Sequence, residues 1–153
     1  MPPAKANIFL PRRKSRKKEA APSPLAELID RAWEVRNHAV ADYSGFRVGA
    51  ALRAASGTVF TGCNVENATY GLTVCAERVA VLKALSEGIR SFQEIAIVTS
   101  AARLTPPCGA CRQILWEFCG NITLHLANQE GQYRRLKLAS LFPSPFDHSH
   151  FKK

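Results

Sequence analysis

Residues 75–98 read CAERVAVLKALSEGIRSFQEIAIV, which is a helical pattern followed by a short apolar strand. The helix is predicted from about Cys75 to Ser86, where apolar residues recur at helical spacing, and Gly88 is a plausible C-cap. Ile95 to Val98 is a continuous apolar run, as expected for a strand that is buried on both faces. The stretch therefore predicts the helix and the second strand of a strand–helix–strand crossover between parallel strands.

The neighbouring segments continue this alternation of strands and helices. Upstream, a hairpin is predicted, with strands from Val48 to Ala54 and from Val59 to Cys63 joined by a turn that contains Gly57. Downstream, another helix is predicted from around Cys108 to near Gly120, followed by a buried strand from Ile122 to Leu126. This order implies parallel crossovers and hence an α/β fold in which helices cover both faces of a sheet.

The two ends of this region add further elements. Ser23 followed by Pro24 is a helix start, with Ser23 as the N-cap and Pro24 at the first helical position. The apolar pattern of this helix ends near residues 43–45. At the other end, Tyr133 to Leu138 is predicted to be a strand, and Leu138 to Phe142 a short helix.

The positive charge is concentrated at the N-terminus. The 153 residues include 21 Lys or Arg and 12 Asp or Glu, which gives a formal net charge of +9. Seven of those cations and one carboxylate fall within residues 1–24. We predict a disordered basic arm over residues 1–21, one folded domain over 22–147 and a short tail over 148–153. The arm is compatible with a solvated tail, a nucleic-acid contact or a targeting segment.

Composition disfavours several classes of protein. No apolar run approaches the roughly 18 residues that a membrane span needs, and no apolar segment of a signal peptide follows the basic N-terminus. The five cysteines are odd in number, which argues against a disulfide framework and for a reducing compartment. We therefore expect a cytoplasmic protein with no membrane partner.

Three cysteines occur where helix N-termini are predicted. Cys75 begins one helix, and Cys108 and Cys111 form a C-x-x-C pair at the start of another. Helix N-termini lower the pKa of a thiol, and the pair spacing directs two sulfurs at one ion. Three protein ligands leave the fourth tetrahedral position of zinc open for water, which marks a catalytic site. Glu77 supplies a nearby carboxylate that is not needed as a ligand and is available to move protons.

A closed structural zinc site and a chance cluster of buried cysteines are the alternatives. A closed site needs a fourth ligand. Cys119 lies eight residues beyond Cys111, and the helical rise would place it roughly 12 Å away. Cys63 ends a strand of unknown register and stays a candidate. The four histidines show no ligand-like spacing to the cysteine pair; they are His38, His125, His148 and His150.

The charge of such a site points to two arginines. Three thiolates around Zn²⁺ leave about one net negative charge, which makes a bound water less acidic. Arg78 and Arg112 lie next to ligand segments, so both are candidates for hydrogen bonds to sulfur that offset this charge. The alternative for each is an exposed position on its helix.

Four motifs resemble those of the cytidine deaminase family, in family order and with family-like spacing. They are YSGFRVGAAL at residues 43–52, GCNVENATYG at 62–71, CAER at 75–78 and PCGACRQ at 107–113. The resemblance covers roughly residues 24–147 and is to the small homotetrameric branch with three cysteine ligands. It implies a three-layer α/β/α cytidine deaminase-like fold with a mixed, largely five-stranded sheet.

The resemblance implies a zinc-dependent hydrolase of pyrimidine salvage. It predicts that cytidine and deoxycytidine are converted to uridine and deoxyuridine plus ammonia, with Glu77 as the proton shuttle. One Zn²⁺ per chain would be held by Cys75, Cys108 and Cys111. The expected partners are a small-molecule pyrimidine nucleoside and other copies of the chain in a homotetramer.

The resemblance also implies the substrate contacts. Asn64 and Glu66 resemble the pair that binds the ribose 3′-hydroxyl, and Phe46 resembles the aromatic that packs on the nucleoside. Loop capping by the pair and core packing by the aromatic are the alternatives. Three further residues are expected on the substrate side or at the adjoining subunit interface: Ala76, Tyr70 and Phe146. The last of these is expected to reach the active site of a neighbouring subunit.

Three other functions stay open. They are deamination of another aminopyrimidine nucleoside such as a nucleoside antibiotic, deamination of cytosine in a polynucleotide held by the basic arm, and a non-catalytic zinc-containing binding module. A carboxylate at the ribose 3′-hydroxyl would face a phosphate in a polymer, so charge repulsion disfavours the polynucleotide. We therefore do not expect a nucleic-acid partner.

Overall fold

Three helices and five strands make up the regular structure of residues 21–151, the part of the chain that the computed structural model describes. In chain order they are α1 Pro24–Arg36, β1 Val48–Ala54, β2 Val59–Cys63, α2 Ala76–Ser86, β3 Phe92–Thr99, α3 Gly109–Cys119, β4 Thr123–Asn128 and β5 Tyr133–Lys137. Short 3-10 turns occur at Tyr70–Leu72, Leu138–Ser140 and His148–Phe151. The predicted basic arm lies outside the described residues except for its last residue.

The five strands form one mixed sheet in the order β2-β1-β3-β4-β5. β3 and β4 are parallel neighbours, whereas the other neighbouring pairs are antiparallel. β2, β3 and β4 therefore run in the same direction, with β1 inserted between β2 and β3. The predicted helical crossovers are confirmed, although only the crossover from β3 to β4 joins adjacent strands.

Helices cover both faces of this sheet. α1 lies on one face, where Leu28 and Ala32 pack against Ala51, Ala96 and Val98. α2 and α3 lie on the other face and bury a larger apolar cluster, which includes Ala80, Val81, Ile97, Leu115 and Leu124. Burying one leucine side chain of this kind contributes about 1.5–3 kcal/mol. The predicted three-layer α/β/α architecture is confirmed.

Two glycines allow helices to approach the sheet closely. A Cβ atom at Gly49 of β1 would overlap the carbonyl oxygen of Ala32 in α1. A Cβ atom at Gly62 of β2 would overlap the carbonyl oxygen of Ala76 in α2. The missing side chains therefore set how closely α1 and α2 lie on the sheet, and with it the position of the residues at the helix ends.

The first helix is shorter than its sequence pattern predicts. The predicted end near residues 43–45 is wrong, because α1 ends at Arg36. The following segment pairs instead with the loop after β2. The Val40 N–H donates to the Asn64 carbonyl at 3.0 Å, and the Glu66 N–H donates to the Val40 carbonyl at 2.8 Å. These long-range hydrogen bonds replace the helical ones that a longer α1 would make.

Most other predicted elements are confirmed. Ser23 caps α1 by accepting the Ala26 N–H at 3.2 Å, and the hairpin turns at Gly57, whose φ of +92° favours glycine. The short helix predicted up to Phe142 is a 3-10 turn that ends at Ser140. No helix within residues 21–151 is long and apolar enough to cross a lipid bilayer.

Candidate metal centre and active site

The sheet topology brings the first residues of α2 and α3 to the same edge. Gly49 of β1 lies opposite Cys63, at the end of β2, and also opposite Val98, near the end of β3. β2 and β3 therefore end at the same edge of the sheet, on either side of β1, and each is followed by a helix. Cys75 is the N-cap of α2 and Cys108 is the N-cap of α3.

The thiols of Cys75, Cys108 and Cys111 form one cluster at this edge. Their sulfur atoms all lie within 4.8 Å of one another, and the sulfurs of Cys75 and Cys108 are 4.0 Å apart. Tetrahedral zinc with Zn–S bonds of about 2.3 Å requires sulfur separations of roughly 3.8 Å. The three thiols therefore fit a zinc ion after a small inward movement.

No fourth protein ligand completes the cluster within the described residues. No other Cys or His side chain, and no carboxylate of residues 21–151, joins the three sulfurs. Cys63 and Cys119 stand outside the group, and burial raises the pKa of both thiols, that of Cys119 to about 12. The cluster thus offers three ligands and leaves a fourth position to water or substrate.

Hydrogen bonding within the cluster stabilises one thiolate. A hydrogen bond from Cys111, followed by contributions from Arg78 and Cys108, lowers the pKa of the Cys75 thiol to about 5. The same interaction, together with burial, raises the pKa of the Cys111 thiol, which favours its protonated form. A divalent cation displaces such a proton on binding, because it requires deprotonated sulfur.

Glu77, the second residue of α2, is almost completely buried, with 5% of its surface exposed. Burial raises the pKa of its carboxyl group to about 7, and the nearby Cys75 thiolate acts in the same direction. The carboxyl group stands outside the sulfur cluster and is not committed to the metal. A buried carboxyl group that gains and loses a proton near neutral pH suits general acid–base chemistry.

Arg78 contacts a sulfur of the cluster. Its Nη2 donates to the Thr73 carbonyl at 2.7 Å and to the Cys75 sulfur at 3.7 Å. Its Nε is buried and has no hydrogen-bond partner among residues 21–151. The carbonyl contact fixes the guanidinium beside the thiolate, where its positive charge offsets part of the negative charge on sulfur.

Arg112 has different partners from those expected from the sequence. Its Nε donates to the Pro107 carbonyl at 2.8 Å, and its Nη1 donates to the Leu141 carbonyl at 2.9 Å. These bonds tie the start of α3 to the segment that follows β5. The geometry therefore favours a structural role for Arg112 and leaves charge balance at the sulfurs to Arg78.

Comparison with known proteins identifies the family. Residues 22–125 match the family described as the cytidine and deoxycytidylate deaminase zinc-binding region. The chain belongs to the cytidine and deoxycytidylate deaminase family. It is 45% identical over 123 residues to a cytidine deaminase of Sporosarcina psychrophila, an alignment that covers 80% of this chain and 90% of the relative. A cytidine deaminase of Halalkalibacterium halodurans is 46% identical over 120 residues, which cover 78% and 91% of the two chains.

Solved structures of cytidine deaminases share the fold. The crystal structure of the cytidine deaminase from Burkholderia pseudomallei superposes with a TM-score of 0.77 at 45% identity, covering 78% of this chain and 97% of that one. The enzyme from Mycobacterium tuberculosis gives a TM-score of 0.68 at 38% identity, covering 78% and 94%. The predicted cytidine deaminase-like fold is confirmed, and the matched zinc-binding region contains all three clustered cysteines.

In this deaminase family member, Asn64 holds the segment that carries Phe46. The Asn64 side chain is buried; its Oδ1 accepts the Val48 N–H at 2.8 Å, and its Nδ2 donates to the Phe46 carbonyl at 2.8 Å. Phe46 as a whole residue is 42% exposed, so core packing does not account for it. The ring therefore stands on a fixed backbone at the protein surface.

Glu66 holds the preceding residues of the same segment. One carboxylate oxygen accepts the N–H groups of Tyr43 at 2.9 Å and Ser44 at 3.1 Å, and the Ser44 hydroxyl donates to the other oxygen. The hydroxyl hydrogen bond lowers the pKa of the Glu66 carboxyl group. Both Glu66 and Asn64 thus cap this loop in the structure, and their contact with ribose stays a prediction.

The other residues predicted on the substrate side lie in three different places. Ala76 is fully buried in the first turn of α2. Tyr70 is 76% exposed on a 3-10 turn, where its ring meets that of Tyr43 edge-on at 6.1 Å. Phe146 is 57% exposed and stacks on His150 of the same chain at 5.1 Å. The predicted contacts of Tyr70 and Phe146 with neighbouring subunits stay predictions.

Sequence reasoning missed residues that position the site without touching its sulfurs. Ser44 bonds to Glu66 through its hydroxyl, and its place in a turn between Asp42 and Gly45 could have marked it as a loop-capping residue. Thr73 holds Arg78 through its backbone carbonyl. A backbone carbonyl is present at every residue, so no feature of the side chain at position 73 could have revealed this role.

Proposed function

We propose that this chain is a cytidine deaminase that hydrolyses the bond between C4 and the amino group of cytidine and deoxycytidine. The reaction consumes one water and yields uridine or deoxyuridine plus ammonia. The proposal rests mainly on the buried carboxyl group of Glu77 beside an open cluster of three thiols. Family membership and the relatives named cytidine deaminase support the same reaction.

Cys75, Cys108 and Cys111 would hold one zinc ion per chain. A bound zinc ion lowers the pKa of its water ligand towards neutrality and so supplies a nucleophile. Three thiolates reduce this effect, because they place negative charge next to the water. The hydrogen bond from Arg78 to the Cys75 sulfur counters that charge.

Glu77 moves the protons in the proposed reaction. As water adds to C4 of the base, the carboxylate takes a proton from the water and delivers it to N3. The carboxylate then takes the remaining hydroxyl proton and delivers it to the amino group, which leaves as ammonia. Both transfers need a carboxyl pKa close to the working pH, and burial of Glu77 provides this condition.

The ribose and base contacts are assigned to the rim of the site. Asn64 and Glu66 would bind the ribose 3′-hydroxyl, and Phe46 would pack on the nucleoside. A carboxylate has about four acceptor positions, and the described bonds to Glu66 use three of them. Capping of the loop by Glu66 is therefore compatible with a further bond to the sugar. Ala76 would meet the base through its backbone, and Tyr70 would lie at the adjoining interface.

The charge of Glu66 favours a free nucleoside over a polynucleotide. The hydrogen bond from Ser44 lowers the pKa of Glu66, so the carboxyl group is ionised at neutral pH. In a polynucleotide the ribose 3′-oxygen carries a phosphate, and this phosphate would stand against the carboxylate. A free nucleoside presents a hydroxyl donor at the same place.

A homotetramer that serves pyrimidine salvage in the cytoplasm completes the proposal. Tyr70, Leu72 and Phe146 are large apolar side chains with 76%, 64% and 57% of their surfaces exposed. Contacts between subunits would cover them, with Phe146 reaching the site of a neighbour. Light scattering of the full chain is expected to give the mass of four 16.8 kDa chains. The mass of a single chain would contradict this assembly.

A panel of nucleosides tests the proposed substrate. Ammonia release is measured with cytidine, deoxycytidine, cytosine, adenosine and an aminopyrimidine nucleoside antibiotic. We expect turnover of cytidine and deoxycytidine, with no change on deletion of residues 1–21. Turnover of the antibiotic alone would show that such a nucleoside, and not cytidine, is the substrate. Zinc-loaded protein that turns over none of these compounds would indicate a binding module.

A further inference from the structure

Arg36, the last residue of α1, joins two segments that border the site. Its Nε donates to the carbonyl of Arg47 at 3.0 Å, next to Phe46 in the chain. Its Nη2 donates to the hydroxyl of Ser100 at 2.7 Å, at the start of the connection that leads to Cys108. One side chain therefore ties the Phe46 segment to the segment that precedes the metal ligands of α3.

The packing of α1 on the sheet places Arg36 where it can make both bonds. Gly49 has no Cβ, and a Cβ there would overlap the Ala32 carbonyl and press against Cβ of Arg36. The guanidinium also lies over the Trp33 ring, 5.5 Å from its centroid. Close contact with β1 thus fixes the Cβ of Arg36. The guanidinium is held by the Trp33 ring and by the oxygens of Arg47 and Ser100.

The Phe46 ring depends on such bonds because packing does not fix it. Phe46 is 42% exposed as a residue, but both its backbone N–H and its carbonyl are hydrogen-bonded. The Phe46 N–H donates to the Ser44 hydroxyl at 3.0 Å, and its carbonyl accepts from Asn64 at 2.8 Å. Arg36 donates to the next carbonyl along the chain, that of Arg47. Asn64 and Arg36 therefore hold two consecutive carbonyl groups, and these fix the backbone from which the ring projects.

We propose that Arg36 is a positioning residue for nucleoside binding, acting through the Arg47 carbonyl and Ser100 on the ring of Phe46. The proposal rests on the proposed function, since the ring contacts substrate only if the protein binds a nucleoside. Packing of a ring on the nucleoside is the same before and during the reaction, so its loss raises KM and leaves kcat unchanged. Arg36 does not touch the thiols or Glu77, and zinc binding does not depend on it.

The test compares Arg36→Met with two partial variants and a control. Arg36→Met removes both bonds and is expected to raise KM for cytidine about tenfold, with kcat within about twofold. Ser100→Ala removes one bond at an exposed position and is expected to raise KM about threefold. The double variant is expected to match Arg36→Met, because the two residues act through one contact. Arg31→Met, which removes an exposed pairing with Glu34 on the same helix, is expected to leave KM unchanged.

A second readout separates positioning from stability. The dissociation constant of the product uridine, measured by calorimetry, is expected to rise by the same factor as KM, with one zinc per chain in every variant. A merely structural role would lower the melting temperature and the active fraction while KM stayed at the wild-type value, and that result would overturn the proposal. If Arg36→Met fails to fold, Ser100→Ala decides, since a wild-type KM and uridine affinity there would also overturn it.

The outcome for wild-type protein distinguishes the two claims. Wild-type protein that releases ammonia from no nucleoside overturns the proposed function and the role of Arg36 together. If wild-type protein turns over cytidine and Arg36→Met has the same KM as wild type, only the role of Arg36 is overturned.

Discussion

The N-terminal ends of α2 and α3 and the segment from Ser44 to Val48 lie at the same edge of the sheet, but they are held in different ways. The ligands and Glu77 belong to helices whose buried faces pack directly on the sheet. The segment from Ser44 to Val48 is largely exposed, and side chains from other parts of the chain hold it: Arg36, Asn64 and Glu66.

Under the proposed function, this contrast separates chemistry from substrate recognition. The sulfur cluster and the carboxyl group are fixed by secondary structure and core packing, which few single changes disturb without unfolding the protein. The proposed substrate rim is the segment from Ser44 to Val48. It is fixed by individual hydrogen bonds from charged or amide side chains, each of which contributes about 1–3 kcal/mol. Changes to the sulfur cluster or to Glu77 should therefore abolish activity, whereas changes on the rim should only reduce it.

The largest effect is expected from removing a ligand. Cys108→Ala leaves two thiols for the ion, so zinc should be lost and turnover should fall by more than the roughly 100-fold cost of losing an outer hydrogen bond. Elemental analysis and ammonia release measure this. Cys119→Ala, at the far end of the same helix, is the control and should keep one zinc per chain. Cys108→Ala protein that keeps its zinc would remove Cys108 from the ligand set.

The next effect concerns the charge at the sulfurs. Arg78→Met removes the contact with the Cys75 sulfur and should lower zinc affinity about 10- to 100-fold. Competition with a chelator measures this affinity. Arg112→Met removes bonds to two carbonyls and should lower the melting temperature while zinc affinity stays within about threefold. Equal losses of zinc affinity in the two variants would contradict the different roles assigned to these arginines.

A change in the sheet beneath α2 should act on the metal side without touching a ligand. Gly62→Ala places a Cβ against the Ala76 carbonyl and should reduce the free energy of unfolding by about 1–3 kcal/mol. Chemical denaturation measures the loss. Gly71→Ala is the matched control, because a Cβ at that position meets no atom within 4 Å. A Gly62→Ala protein as stable as wild type would show that α2 can shift freely.

The smallest effect is expected at the rim. Asn64→Ala leaves the Val48 N–H and the Phe46 carbonyl without their partner and should raise KM for cytidine about tenfold, or about 1.4 kcal/mol. Zinc content should not change. Asn67→Ala, in the same loop and bonded locally to Thr69, serves as the control. Loss of zinc from Asn64→Ala would mean that the two sides of the site are not independent.

The metal side was largely predictable because its signals are local. A cysteine at each helix start, a C-x-x-C pair and a carboxyl group two residues after a ligand are all features of short sequence segments. Apolar periodicity located the strands and helices that bring these segments together. The identity of the three clustered thiols and the layered α/β/α fold follow from such patterns.

The rim was predictable only in part because its contacts join distant segments. The end of α1 was misplaced, since the pairing of Val40 with Asn64 spans 24 residues and leaves no mark on helical periodicity. The partner of Arg112 at Leu141 is 29 residues away and is a backbone carbonyl. Bonds of this kind depend on the completed fold, so residue type and spacing alone do not specify them.

The most direct test of the central claim is the activity of Glu77→Gln protein with its zinc in place. The amide keeps the size of the side chain but cannot shuttle protons, so turnover of cytidine should fall by on the order of 10²–10⁴-fold or more. Zinc should stay at one per chain, and Glu87→Gln, exposed at the other end of α2, should retain wild-type turnover. Zinc-loaded Glu77→Gln protein that deaminates cytidine at the wild-type rate would contradict the account.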